Sequence, residues 1–258
     1  MSDQQRLLEL YRKFPCRTLP NAFWKTSSRL KGGSLDIQYN AEGELKRLSI
    51  WHNNECLALW LRSAVEEDIS SVNVDSLDFV LVHNDSSAVF TEVSLSRRQP
   101  FFRLRHDGPV KRHLPPPGFL FRDARPKAEV EDIVKIIQRC YTNMKVTPTI
   151  VREWQAHPVY APDLWVWIVD AESERNAGLG IAELDPQVPE ASLEWIQVLP
   201  EYRNQGLGSA IVAELLHRVE GKVRFTTVSG EVDNPNEPER LYRKCGFTGS
   251  DIWWLLVP

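Results

Sequence analysis

The four cysteines, Cys16, Cys56, Cys140 and Cys245, lie far apart and lack the paired spacing of a metal site or a disulfide framework. They read as reduced thiols, which makes a reducing, cytoplasmic setting the expectation. The six histidines show no metal-ligand spacing and no catalytic partner in sequence, so no metal is expected. No apolar run approaches the roughly 18–20 residues of a membrane span. The opening Met1–Arg6 is polar and leads into a helical pattern, without a signal-peptide core. Low-complexity segments are missing too. Positive charge is not in excess: a net charge of −4 excludes a generally basic nucleic-acid binder and mildly suits a cationic substrate. What remains is a soluble globular chain of 258 residues, 42% hydrophobic, with enough material for one large core or two smaller ones.

The most informative stretch is Val198 to Val212. An apolar run from Leu193 to Val198 ends at Pro200, Arg203-x-x-Gly206-x-Gly208 follows, and then an amphipathic helix begins. A strand feeding a glycine-bearing turn into a helix start offers unpaired backbone N–H groups and the positive end of the helix dipole. Both favour a bound anion such as phosphate. Gly206 and Gly208 lack Cβ atoms, which lets a phosphate approach the main chain, and Arg203 adds charge. Two nucleotide-binding readings fail on spacing. A Walker loop needs a lysine after its last glycine, and none follows here. A dinucleotide fingerprint needs a third glycine where Ile211 stands. Gly178-Leu179-Gly180 fails in the same way, with Glu183 in that place.

The Arg203-x-x-Gly206-x-Gly208 loop resembles the acetyl-coenzyme A loop of the GNAT N-acetyltransferase superfamily. Downstream, Leu241-Tyr242-Arg243-Lys244-Cys245-Gly246-Phe247 resembles that superfamily's later Leu-Tyr-x-x-x-Gly-Phe signature. The resemblance covers residues 119–258. It implies a mixed α/β (α+β) fold with a mostly antiparallel sheet flanked by helices, with acetyl-coenzyme A as co-substrate and an amine as acceptor. The helical and strand patterns agree with the order β-α-α-β-β-β-α-β-α-β. Phe119 to Arg122 reads as a strand, and Pro126 as the start of a helix carrying Val130, Ile133, Val134, Ile137 and Cys140. Thr147-Pro148 reads as the cap of a second helix reaching Trp154. Strands are expected over Leu164 to Asp170, Gly178 to Leu184, Ser192 to Val198, Val223 to Val228 and Asp251 to Val257. The coenzyme helix should span Gly206 to Glu220, and a short helix Glu237 to Lys244.

The prolines of His113-Leu-Pro-Pro-Pro-Gly118 mark a boundary between residues 1–114 and 119–258. In the first segment, Gln4 to Phe14 suggests a helix. Strands are expected over Leu35 to Tyr39, Leu45 to Trp51, Leu77 to His83, Val89 to Leu95 and Phe101 to Arg105. Two readings stand for this smaller α+β segment: a tandem module of the same superfamily that has lost its cofactor site, or an unrelated cap or dimerisation domain. In neither should it bind coenzyme.

Acetyl transfer to an amine needs a base, an oxyanion donor and an acid for the departing thiolate. An alkyl ammonium has a pKa of about 10.4, so freeing its lone pair near pH 7 costs about 4–5 kcal/mol. Glu194 is the candidate base; strict alternation places it on one strand face with Ile196 and Val198, opposite Trp195 and Gln197. Glu183 and Glu231 are reserves. The resemblance assigns Tyr242 as the thiolate's acid and the Val198 N–H as oxyanion donor. It also assigns Asn204, Gln205, Gly206, Leu207, Gly208 and Ser209 to the pyrophosphate. Asn234 or Asn236 is implied at the pantetheine arm, although Pro235 occupies the usual asparagine position. Trp154, His157 and Tyr160 are candidate acceptor-pocket walls, where a cation could rest on an aromatic face. Trp165, Trp167, Trp253 and Trp254 read as mainly core. The acceptor is expected to be a small-molecule or peptide amine, with no nucleic-acid or membrane partner. The competing readings are a non-catalytic acyl-coenzyme A sensor and an enzyme moving a longer acyl group. Oligomeric state is not legible.

Overall fold

The computed structural model describes residues 2–63, 74–110, 114–125, 127–141 and 144–258. Its helices are α1 (Asp3–Lys13), α2 (Pro15–Thr18), α3 (Phe23–Ser27), α4 (Val130–Cys140), α5 (Pro148–Ala156), α6 (Leu207–Val219) and α7 (Pro238–Lys244). Its strands are β1 (Ser34–Tyr39), β2 (Leu45–His52), β3 (Glu55–Leu61), β4 (Phe79–His83), β5 (Arg97–His106), β6 (Phe119–Asp123), β7 (Trp165–Asp170), β8 (Asn176–Asp185), β9 (Glu190–Val198), β10 (Phe225–Glu231) and β11 (Thr248–Val257). From β6 onward the order is the one read from the sequence. His113 and Pro126, part of the expected boundary and helix start, lie outside the described residues.

Two compact units form. One comprises Met1–Arg105, Ser229–Glu239 and Thr248–Pro258; the other comprises His106–Val228 and Arg240–Phe247. This division departs from the split into 1–114 and 119–258. The reason is β11, which pairs antiparallel with both β4 and β5 and so belongs to the first unit's sheet, ordered β1-β2-β3-β4-β11-β5. In that unit, α1 is capped by the Ser2 hydroxyl, which accepts from the Gln5 N–H at 3.3 Å, and it buries Leu7, Leu10 and Tyr11.

Two sequence expectations for the first unit are corrected. Val89 to Leu95 is not a strand: Asn84–Phe90 winds as a 3-10 helix. Ser86 anchors it, its buried hydroxyl accepting from the Leu61 N–H at 2.6 Å and donating to the Leu61 carbonyl at 3.1 Å. Strand β3 was not anticipated. Its residues Cys56–Leu61 are all buried, so no period-two alternation betrays it.

The second unit is ordered β6-β7-β8-β9-β10, antiparallel through β9 and parallel between β9 and β10. The pattern of β7-β8-β9-β10, three antiparallel strands followed by a parallel one, recurs in β1-β2-β3-β4. One face of this sheet carries α4 and α5, whose Ile133, Ile137 and Val151 are fully buried against Trp165, Trp167 and Ile181. Each such side chain contributes about 1.5–3 kcal/mol by leaving water. Helix α5 begins as expected, with Pro148 in its first turn and the Thr147 hydroxyl accepting from the Ile150 N–H. The opposite face carries α6, whose Ile211 and Leu215 lie over Gly178 and Gly180. Of the four tryptophans read as core, Trp165, Trp167 and Trp253 are fully buried; Trp254 is half-buried and donates from Nε1 to Asn84 Oδ1.

Candidate functional site

Strand β9 outruns its parallel neighbour. The β9–β10 register runs from Glu190↔Phe225 to Leu193↔Val228, whereas β9 continues to Val198. At the point where the pairing ends, the antiparallel register with β8 slips: Ala182 faces Leu193 and Ile181 faces Trp195, which leaves Glu194 as an extra residue. This is a β-bulge, and it resets the alternation. Glu194 is therefore not in phase with Ile196 and Val198 as strict alternation required. Leu193, Ile196 and Val198 pair with Ala182, Gly180 and Gly178 on the α6 side, while Trp195 pairs with Ile181 on the α4–α5 side. Glu194 is half-buried in the bulge between them.

Beyond Val198 the chain turns through Pro200–Tyr202 into two left-handed residues, Asn204 at φ 62° and Gly206 at φ 80°. Asparagine and glycine tolerate that region best, which is why this turn needs them. Gly206 caps α6 with no side-chain hydrogen bond at its N-terminus. By helix geometry the N–H groups of the first turn, around Gly206 to Ser209, have no intrahelical acceptor. These donors stand at the positive end of a thirteen-residue helix, an arrangement that favours anions in general. Pro116 lies beside it, its Cγ 3.9 Å from where a Gly206 Cβ would stand. Gly208 is less constrained: a Cβ there would stand 3.4 Å from the Leu241 side chain of α7, an ordinary van der Waals contact. Arg203 donates from Nε to the Val198 carbonyl at 3.2 Å, and the Cys140 thiol donates to the same oxygen at 3.6 Å. At least one arm of Arg203 thus braces the end of β9.

Tyr242 is buried on α7, with its ring edge-on to Phe247 at 5.7 Å. Gly246, at φ 92°, ends α7 in the left-handed cap expected from sequence, and Phe247 N–H returns to the Tyr242 carbonyl at 3.1 Å. Burial pushes the Tyr242 phenol well above its ordinary value, with Tyr141, Cys245 and the Glu194 carboxylate adding to the effect. The structure thus places Tyr242 and Glu194 within electrostatic reach of each other. Cys245 is itself held up by burial; its thiol donates to the Ser209 carbonyl at 3.9 Å.

The remaining residues separate into groups. Trp154 stacks on Trp195 at 5.3 Å and 28°, and Tyr141 meets Trp195 edge-on at 5.5 Å. Tyr160 lies edge-on to Trp165 at 5.5 Å, and its phenol is raised by burial and by the nearby Glu183. Glu183 is buried on β8 opposite Ser192. His157 caps the end of α5, its Nδ1 accepting from the Val159 N–H. Glu231, Asn234 and Asn236 are grouped with the other compact unit. Asn234 Oδ1 accepts from the Asn236 N–H at 2.9 Å, which makes this segment a side-chain-closed turn. Trp195 was missed by sequence reading, because nothing local announces the bulge that brings it beside Glu194. Among the described residues, no group of three or more His, Cys, Asp or Glu side chains is placed to hold a metal. No helix among them is long and apolar enough to cross a membrane.

Residues 130–247 match the Acetyltransferase (GNAT) family. No curated protein matches the chain in sequence. Solved structures resemble it along most of its length. A GCN5-related N-acetyltransferase from Sphaerobacter thermophilus superposes with a TM-score of 0.68 at 12% identity, over 91% of this chain and 84% of that one. A GNAT-family acetyltransferase from Colwellia psychrerythraea gives 0.64 at 11% identity, over 99% and 96%. A tandem GNAT protein from the clavulanic acid biosynthesis pathway gives 0.62 at 13% identity, over 99% and 93%. At these identities the likeness is one of fold.

Proposed function

We propose, from the premise that residues 130–247 form a GNAT-family acetyltransferase module, that the chain transfers an acetyl group from acetyl-coenzyme A to a primary amine. The carrying observation is the left-handed turn Asn204–Gly206 opening α6 beside the stretch of β9 that outruns β10. In this reading the main-chain amides of the turn and of the start of α6, from Asn204 to Ser209, hold the diphosphate. The stretch Glu194–Val198, which lies past the end of the β9–β10 register, takes the extended arm that carries the thioester.

The amine then attacks the thioester carbonyl directly. Glu194, in the bulge, accepts the ammonium proton, either directly or through one water. The Val198 N–H steadies the tetrahedral oxyanion. Tyr242 donates to the departing thiolate. Its burial keeps the phenol protonated and able to hydrogen-bond the thiolate, while making it a weaker acid for complete proton transfer. Cys245 sits within the Tyr242–Phe247 packing and its thiol is held neutral by burial, so a covalent acyl-enzyme is not part of this reading.

Thiol release from acetyl-coenzyme A in the presence of a panel of primary amines tests the proposal. Amine-dependent release supports it. Coenzyme binding without turnover on any amine would instead favour a binding module that senses acyl-coenzyme A, and faster release from longer thioesters would reassign the donor.

A further inference from the structure

We infer that the acceptor side of the second unit takes a primary amine carried on an aromatic or similarly flat apolar group, seated against Trp195, Trp154 and Tyr141. The term acceptor rests on the acetyl-transfer reading, but the subsite itself can be tested by binding alone.

Without the extra residue of the bulge, Glu194 and Trp195 would project to opposite faces of β9; with it, Trp195 pairs with Ile181 on the α4–α5 side directly after Glu194. Two other elements bring rings to the same place. Trp154, from α5, stacks on Trp195, and Tyr141, just past α4, meets it edge-on. All three rings are half-buried, so each keeps surface open to solvent although each also packs on the core beneath. A core that needed only filling would bury such rings completely, as it does Trp165 and Trp167 in the same unit.

Carboxylates lie close by. Glu194 directly precedes Trp195 in the bulge, and Tyr141 and Glu194 both act on Tyr242. Glu183, on the neighbouring strand, lies near Tyr160. Flat apolar surface with a carboxylate beside it is complementary to an amine whose ammonium end meets the carboxylate and whose body lies on the rings. A polyamine or an aminosugar would leave most of the indole surface unused. A ring-bearing amine gains stacking on the rings beyond its buried area.

The test is a calorimetric titration of phenethylamine, hexylamine and putrescine into the full chain saturated with coenzyme A. Phenethylamine is expected to bind about tenfold more tightly than hexylamine. Trp195→Ala and Trp154→Ala should erase that preference, Trp195→Phe should keep most of it, and affinity for coenzyme A should stay unchanged in Trp154→Ala. Should Trp195→Ala fail to fold, Trp154→Ala, on a half-exposed helix face, carries the test. Equal affinity for the two monoamines, retention of the preference in Trp195→Ala or Trp154→Ala, or no saturable amine binding would each overturn the inference. Ring-selective binding without acetyl transfer would leave the subsite standing and defeat the catalytic reading. Turnover on aliphatic amines with no ring preference would do the reverse.

Discussion

Gly180 of β8 and Ile211 of α6 are in such close contact that a Cβ on the glycine would collide with Ile211 Cγ2 and stand 3.0 Å from Leu215 Cδ1. Two places along, a Cβ on Gly178 would meet the Gln197 carbonyl at 2.8 Å. The Gly178-Leu179-Gly180 stretch, which in sequence invites a nucleotide-loop reading, is thus the bed on which α6 rests. Gly180→Ala should overpack this interface and cost about 1–3 kcal/mol in chemical denaturation. It should also weaken coenzyme binding by shifting the first turn of α6. Unchanged stability would show that α6 is not held this closely.

The two loop glycines should behave differently. Gly206 lies at φ 80°, where a Cβ costs about 1–2 kcal/mol, so Gly206→Ala should destabilise the turn and reduce coenzyme affinity. Gly208 is at an ordinary helical position facing Leu241 side-chain atoms at 3.4 Å. Gly208→Ala should fold at least as well, since alanine exceeds glycine by up to about 1 kcal/mol within helices, and should largely spare affinity. Equal losses at both positions would mean that Gly208 is needed for the ligand itself.

Tyr242→Phe should lower turnover and leave coenzyme affinity intact; unchanged turnover would remove Tyr242 as the acid. The same variant has a stability signature. Burial raises the folded phenol's pKa, so the folded state holds this proton more tightly than the unfolded state does. The contribution is fully present below the unfolded value of about 10 and is lost as pH climbs from there toward the folded value. Denaturation midpoints of the parent chain should fall above that point, and those of Tyr242→Phe should fall less.

Glu194→Gln should slow turnover by about 10²–10⁴-fold near neutral pH and displace the pH–rate profile upward, because the amine must then shed its proton unaided. A profile identical to the parent's would transfer the role to Glu183, the buried carboxylate on the adjoining strand.

What the sequence disclosed was mostly local. The turn before α6, the Thr147 cap and the Gly246 exit each depend on a few adjacent residues whose φ preferences or hydroxyls are specific. The features that escaped depend on partners distant in sequence. Whether Trp195 faces α5 is decided by one surplus residue in the β8–β9 ladder, and no residue type marks it. Strand β3 hides because burial on both faces erases alternation. That β11 completes the first unit follows from its pairing with β4 and β5, more than a hundred and forty residues earlier. The turn into α6 at Gly206 was legible, but the tie between Arg203 and the Val198 carbonyl was not.

Isothermal titration of acetyl-coenzyme A into the parent chain and into Gly206→Val is the most direct measurement. Saturable binding to the parent, weakened about tenfold or more in a variant whose circular dichroism is unchanged, is the predicted result. No measurable binding to the parent, or equal affinity in both proteins, would contradict a diphosphate held by the first turn of α6.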